Sequence, residues 1–415
     1  RRSSFPAVMS RFESLPFSKE RNAVIFDIGA AYTKCGFAGE NGPRAILRSV
    51  VRRPRNGKTV KVWSSTADNE LQEVLVDFVH MLYFRYLLVN PKERRVVVVE
   101  SILCPTVFRE TLARVLFTHF EVPSVLFAPS HLMAVFTMGV SSALVLDSGY
   151  TETVVVPVYE AVPLLKAWEA LPLAGRAIHE SIQKELKEVG TISTSQTDKQ
   201  PLGSESDKLE EDTLEDIKAR CCFVTKIERA KIIQDVHRNG ESDDRKFPEP
   251  PPGVDYPLDG SKILQIAGRI REHSCEVLFE QDNDEVSIAT LILDSILKCP
   301  IDMRPALAEN IILMGGTALL PGFKHRVLAE IKELVASRNR YKESLSTLTF
   351  KAHMTPSREN YTAWLGGAIM GELEVIGSRS LSKEAYQKNS CLPDWGSLLN
   401  LETVEEKPAT NKKTP

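Results

Sequence analysis

Two short motifs have the makings of a phosphate and metal clamp. An apolar run, Asn22 to Phe26, closes on Asp27-Ile28-Gly29, and a second strand-like run, Tyr32 to Phe37, follows it. The arrangement recurs where Ser142 to Leu146 closes on Asp147-Ser148-Gly149 and Thr153 to Tyr159 follows. A glycine in such a turn lets backbone N–H groups approach phosphate oxygens where a Cβ would obstruct them. A carboxylate beside the turn can hold Mg²⁺, usually through water. Two such hairpins facing each other would clamp a polyphosphate, whereas either one alone reads first as a plain hairpin turn. A third apolar run, Asn310 to Met314, ends in Gly315-Gly316-Thr317 and supplies a further glycine turn.

The elements that must position these residues follow from hydrophobic spacing. Both Asp-x-Gly motifs sit in predicted β-hairpins. Arg95 to Ser101 is a buried strand, and Pro105-Thr106 opens a helix with Phe108, Leu112, Val115, Leu116 and Phe120 on one face. Ser287 to Leu297 is an amphipathic helix. The interval between the hairpins is too long for a solenoid, so a duplicated domain is the simpler expectation for a chain of 415 residues. The expected division is a flexible segment over 1–20, one domain from 21–137 plus 362–398, a second over 138–361, and a disordered tail over 399–415. Within the second domain, polar residues near 185–212 and the proline-rich stretch near 239–253 are expected as mobile insertions.

Composition narrows the function classes. With 43% hydrophobic and 26% charged residues the chain has material for a large core, and a net charge of -3 argues against a general nucleic-acid binder. No apolar run approaches the roughly 18 residues of a membrane span. Seven cysteines, with Cys221 and Cys222 adjacent and no Cys-x-x-Cys, suit thiols in a reducing compartment better than a disulfide or metal framework. Phe5 to Met9, interrupted by Pro6, is too short for a signal-peptide core, so a cytoplasmic or nuclear location is expected.

Taken in order, the motifs resemble those of the actin family. Lys34-Cys35-Gly36-Phe37-Ala38-Gly39-Glu40 with Pro43-Arg44-Ala45 resembles its first phosphate loop, and Asp147-Ser148-Gly149 with Val156-Pro157-Val158-Tyr159-Glu160 its second. Leu173 to Arg176, Asp216 to Lys218, Ile301 to Arg304, Gly315 to Gly322, Ala363 to Gly367 and Ser382 to Tyr386 follow in the family's order. The resemblance spans about residues 22–390. It implies an α/β, two-lobed actin-like fold, of the type shared with hexokinase and heat-shock-70 proteins, with duplicated domains around a central cleft. It also carries over a vestigial nucleotide cleft at Asp27, Gly29, Lys34, Asp147, Gly149, Lys218, Gly315 and Gly316. Asp27 and Asp147 would be the metal positions when a magnesium nucleotide is bound. The cofactor implied is at most a statically held ATP or ADP with magnesium.

The departures from the family pattern carry as much information. Its hydroxyl residue and glycine after the first Asp-x-Gly are Ala30 and Ala31, and its Asp-Gly after the second is Tyr150-Thr151. The histidine and glutamine that order water fall on Val154 and Ser130, the glutamate after Lys218 is Ala219, and the lysine beside the base corresponds to Asn360. Phosphoryl transfer depends on positioning and electrostatics, so hydrolysis is expected to be very slow or absent. Two readings of the surviving residues stand side by side: a nucleotide held without turnover, or turns kept for packing alone. Gly29 and Gly149 are expected to hold conformations that admit no side chain. His131 is expected to be structural, and Asp282, Asp284 and Glu285 to form a solvated loop.

Ser49 to Arg95 is shorter than the family's corresponding stretch, which implies loss of the small-subdomain sheet and its pointed-end loop. Gly139, Val162 to Ala170 and Tyr361 to Met370, which shape the opposite barbed-side cleft in the family, are present. Together with Leu82 to Pro91, Phe120 to Leu126, Ala128 to Met133, Val254 to Gly260 and Leu278 to Asn283, the pattern resembles one actin-related branch. That resemblance implies a non-catalytic structural protein that caps the pointed end of the short actin-like filament of dynactin and supports dynein-driven microtubule transport. Its implied partners are the filament subunits and the other pointed-end subunits of dynactin, with no nucleic acid, no direct membrane insertion and no homo-oligomer. Its implied location is the cytoplasm, on the cytoskeleton. Two alternatives are a polymerising actin-like ATPase, which needs the missing glutamine and histidine, and an actin-related subunit of a nuclear chromatin complex, which nothing basic in the chain supports.

Overall fold

Runs of valine and isoleucine buried on both faces form the centre of the molecule, as parallel strands covered by helices require. The computed structural model describes residues 22–53, 57–64, 68–195, 198–202, 209–239, 248–260, 262–281 and 284–393. β1 (Val24–Ile28) and β2 (Tyr32–Phe37) form an antiparallel hairpin, and β3 (Ala45–Arg48) pairs with β2. β4 (Val50–Arg52) and β5 (Thr59–Lys61) make a separate two-stranded ribbon. After α1 (Asp68–Met81), β6 (Val96–Glu100) inserts beside β1 in parallel. α2 (Thr106–Arg114) continues into a π-helical turn over Val115–His119, and β7 (Ser124–Pro129) pairs parallel to β6.

α3 (Ser130–Met138) leads the chain into a second sheet begun by the hairpin β8 (Ala143–Ser148) and β9 (Thr153–Tyr159). β10 (Val162–Pro163) and β11 (Glu169–Leu171) pair with β9. α4 (Gly175–Val189) precedes β12 (Thr191–Ser195) and β13 (Asp198–Pro201). α5 (Glu211–Cys221) and α6 (Ile227–Asn239) follow, then β14 (Val254–Asp259), β15 (Lys262–Ile266) and α7 (Gly268–Glu276). α8 (Ile288–Lys298) starts at a capping box in which Ser287 and Thr290 satisfy each other's backbone N–H. α9 (Arg304–Glu309), β16 (Ile311–Met314), α10 (Phe323–Ser337), α11 (Asn339–Leu345) and β17 (Ala352–His353) complete this lobe, with β16 parallel to β8. α12 (Thr362–Glu372) then returns the chain to the first lobe, where α13 (Ile376–Arg379), β18 (Leu381–Ser382) and α14 (Lys383–Asn389) end the described residues in helices and strands.

The first sheet has the order β18-β7-β6-β1-β2-β3 and the second β10-β9-β8-β16-β17. Alternation along β1 divides its side chains between two cores. Val24 and Phe26 join the outer core with Phe78 and Leu112, whereas Ile25 faces a central core with Val97, Val145, Met314 and Trp364. That central layer is where α3 and α12 lie. They approach so closely that a Cβ on Gly366 would come within 1.9 Å of the Met133 carbonyl oxygen. Trp364 fills the same layer, its indole N–H donating to the Ile25 carbonyl at 3.3 Å.

Two expectations are corrected. The polar stretch 185–212 is not a loop throughout: Thr191–Ser195 and Asp198–Pro201 are strands in a four-stranded antiparallel sheet of order β13-β12-β15-β14. Backbone pairing of β12 with Lys262–Ile266 orders a sequence with few apolar side chains. The small-subdomain sheet is reduced rather than lost, since β4 and β5 remain and hold Val51 and Val62 buried. Residues 203–208, 240–247 and 282–283, the expected flexible ends over 1–20 and 399–415, and the acidic residue Asp282 lie outside the described residues.

Candidate functional site

The two Asp-x-Gly hairpins repeat the same turn. In each, the glycine N–H donates to the carbonyl three residues on: Gly29 to Tyr32 at 3.1 Å and Gly149 to Glu152 at 3.1 Å. Their environments differ, against the expectation that both exclude a side chain. A Cβ on Gly29 would lie 2.7 Å from the Tyr32 oxygen, but on Gly149 it would meet nothing closer than 3.6 Å. The Gly29 carbonyl accepts from Ser49 Oγ (2.6 Å) and Trp63 Nε1 (3.0 Å), which ties the ribbon β4–β5 to the first turn. The Gly149 carbonyl accepts from Thr317 Oγ1 at 2.7 Å, joining the second turn to the glycine turn after β16. Gly315 there has φ +99°, and a Cβ would come within 2.2 Å of the Ser148 oxygen. The second loop also caps α4, because Gly175 N–H donates to the Gly149 carbonyl and Arg176 N–H to that of Tyr150.

All eight sequence-assigned residues, Asp27, Gly29, Lys34, Asp147, Gly149, Lys218, Gly315 and Gly316, line one cavity of about 680 Å³ between the lobes. Cross-strand register sets Asp27 opposite Lys34, and their side chains pair at 3.0 Å. Burial pushes the Asp147 carboxyl up to about 6; the Lys34 charge opposes this, and Asp27 and Glu152 add to it. Lys218, buried on α5, donates to Glu215 at 2.6 Å, and His179 Nε2 stands 3.0 Å from the same carboxylate. Burial alone would raise Glu215, but hydrogen bonding from His179 and the charge and hydrogen bond of Lys218 outweigh it and hold the group at about 2.

The substituted positions are in the same place. Ala30, Ala31, Ser130, Tyr150, Thr151, Val154 and Asn360 line the cavity, whereas Ala219 is exposed outside it. Ser130 Oγ lies 3.2 Å from His131 Nδ1, but His131 is buried off the cavity lining, and burial lowers its pKa to about 4, leaving the ring neutral at neutral pH. Tyr150 packs edge-on against the His179 ring at 5.4 Å, and burial together with the nearby Glu211 carboxylate raises its phenol above the usual value. Sequence reading missed Glu215, His179 and Glu211. Glu215 carried a signal, standing one helical turn before Lys218; His179 reaches the site from α4 and carried none.

The donor set fits a magnesium polyphosphate. Asp27 and Asp147 open onto one cavity, Gly29, Gly149, Gly315 and Gly316 present bare backbone on parts of its wall, and Asn360 Oδ1 is buried on its lining without a hydrogen-bond partner among the described residues. Among the described residues no group of three His, Cys, Asp or Glu side chains forms a metal cluster, so the two carboxylates would share such an ion with phosphate and water. Also among the described residues, no helix is long and apolar enough to cross a membrane.

Two such hairpins lining one cleft, with each lobe built on a mixed sheet that joins the hairpin to parallel strands, suit an actin-type molecule. The sequence model of the actin family matches residues 18–76 and 66–391, and the chain belongs to that family. It is 28% identical to Actin-related protein 10 of Dictyostelium discoideum, over an alignment that covers 92% of this chain and 90% of the relative.

Proposed function

We propose that this chain is a non-catalytic actin-related structural subunit that caps the pointed end of the short actin-like filament of dynactin. In this reading it recruits the other pointed-end subunits there and supports dynein-driven transport in the cytoplasm. The observation that carries the proposal is the small subdomain, cut down to three-residue strands at Val50–Arg52 and Thr59–Lys61. A subunit with so little on that side offers the next subunit no plug. In the segments that the family resemblance gives to the barbed side, Val162, Trp168 and Ile369 keep part of their apolar surface in solvent, which suits a surface that a neighbouring subunit covers.

The cleft supports the same reading. When bound, a magnesium nucleotide would supply charge that bridges the two hairpins. Asp27 and Asp147 would hold its metal, and Gly29, Gly149, Gly315 and Gly316 would admit its phosphates. In this reading the family's water-orienting groups are replaced: Ser130, Val154 and Tyr150 line the cavity at those positions, and Val154 has no polar atom to offer. The ligand would then be a structural filler, retained and not consumed.

Labelled protein added to polar filaments of the dynactin actin-related subunit tests the proposal. Binding at one end, with growth stopped at that end only, is the expected result. Side decoration, equal binding at both ends or incorporation within the filament would overturn it.

A further inference from the structure

Away from α3 and α12, through which the chain crosses between the lobes, side chains also bridge the two lobes beside the cavity-lining residues Trp63 and Glu215. Arg48 ends β3 and Lys61 ends β5, both on the first lobe. Glu211 and Asp212 occupy the first turn of α5 on the second, where the helix N-terminus favours negative charge. Lys61 pairs with Glu211 and Arg48 with Asp212. Tyr150, on the second lobe, is close enough to the same Glu211 for each to shift the other's titration. The Arg48 guanidinium also lies 5.3 Å from the Tyr32 ring centroid, which fixes its direction.

We infer that these contacts form a latch that holds the cleft closed by the protein's own side chains, without a ligand to draw the lobes together. Each part is anchored. Val62, next to Lys61, is fully buried and its N–H donates to Ser49, so the lysine rises from a fixed base. α5 is fixed in turn by buried Leu214 and Ile217 and by the contact of its Glu215 with His179 on α4. Burial would raise the Glu211 carboxyl, but the Lys61 hydrogen bond and the nearby Tyr150 phenol bring it below its usual value. A single exposed ion pair contributes little, but charges that converge on one carboxylate and its neighbour restrain one another. The latch goes beyond the capping proposal and does not depend on whether the cleft carries nucleotide.

Hydrogen exchange on the full-length chain, dialysed against EDTA and nucleotide-free buffer, tests this. Lys61→Glu and Glu211→Lys each convert an attraction into a repulsion. Each is expected to speed exchange in β2, β9 and α5 by about 5-fold, and the double variant to return it to within about 2-fold of wild type. Single variants without effect, or a double as fast as the singles, would overturn the inference. A second measurement covers variants that fail to fold. In a Lys61→Cys, Glu211→Cys double variant, mild oxidation by oxidised glutathione is expected to cross-link the lobes without nucleotide. Cross-linking that requires added magnesium ATP would show closure to be ligand-driven and would defeat the latch.

Discussion

Glycines that look alike in sequence carry different burdens in this cleft. The Gly29 turn has backbone where a Cβ would stand, whereas the Gly149 turn leaves ordinary van der Waals space. Gly29→Ala is therefore expected to cost about 1–3 kcal/mol, and Gly149→Ala about 0.5 kcal/mol or less, by chemical denaturation. Equal effects of the two would show that the turns relax alike. Glu215 gives a prediction in pH. Its folded pKa, about 2, lies below the usual value of 4.5, so its contribution is fully present above pH 4.5 and is lost as pH falls through about 2. Glu215→Gln should strand the buried Lys218, cost about 2–4 kcal/mol at pH 7, and flatten the acid limb between those values. An unchanged acid limb in the variant would place that dependence on another carboxylate. At this scale the carboxylates and glycines of the site were legible, because Asp-x-Gly after an apolar run has a local physical meaning. The partners of Lys218 were legible only in part, since His179 is brought in by tertiary packing.

Buried charge, more than apolar contact alone, ties the helices of the second lobe together. Arg326 on α10 reaches Glu276 on α7 through two bonds, at 3.1 and 2.9 Å, and also donates to the Thr225 carbonyl. Both side chains are almost wholly inaccessible, at 1% and 0% exposure. Arg326→Met should leave Glu276 uncompensated and cost about 3–5 kcal/mol, while Arg326→Met with Glu276→Leu should recover most of the loss. A double variant as unstable as the single would mean that packing and not charge holds α10 to α7. Elements with strong periodicity, such as α8 and the valine strands, could be read directly. β12 and β13 could not, because Thr-Ile-Ser-Thr-Ser and Asp-Lys-Gln-Pro become strands by pairing with each other and, for β12, with β15, a partner some 70 residues away that local composition does not reveal.

The duplicated arrangement of the molecule puts its catalytic prospects and its assembly prospects on separate parts. Hydrolysis would need water-orienting groups at the cleft floor, and the residues there are Ser130, Val154 and Tyr150. Purified protein is expected to release no phosphate from magnesium ATP above background over hours. Steady-state turnover that Asp147→Ala abolishes would reverse that conclusion. The two-lobed architecture was readable from the recurrence of one hairpin. The side-chain contacts between the lobes were not, because they join charged residues 150 or more positions apart, as in Lys61 with Glu211.

The two passages of chain through α3 and α12 have a consequence for how the protein fails. The lobes are stitched by two backbone threads, one leaving and one returning. A single cut at the surface turn after α3, where Gly139 has open space around it, severs only the first. The fragments would stay knitted through the second thread and through the strand β18, which the returning chain lays against β7. A nicked molecule should therefore migrate as one body under native conditions, and the same turn is a place where new chain ends could be opened without parting the halves.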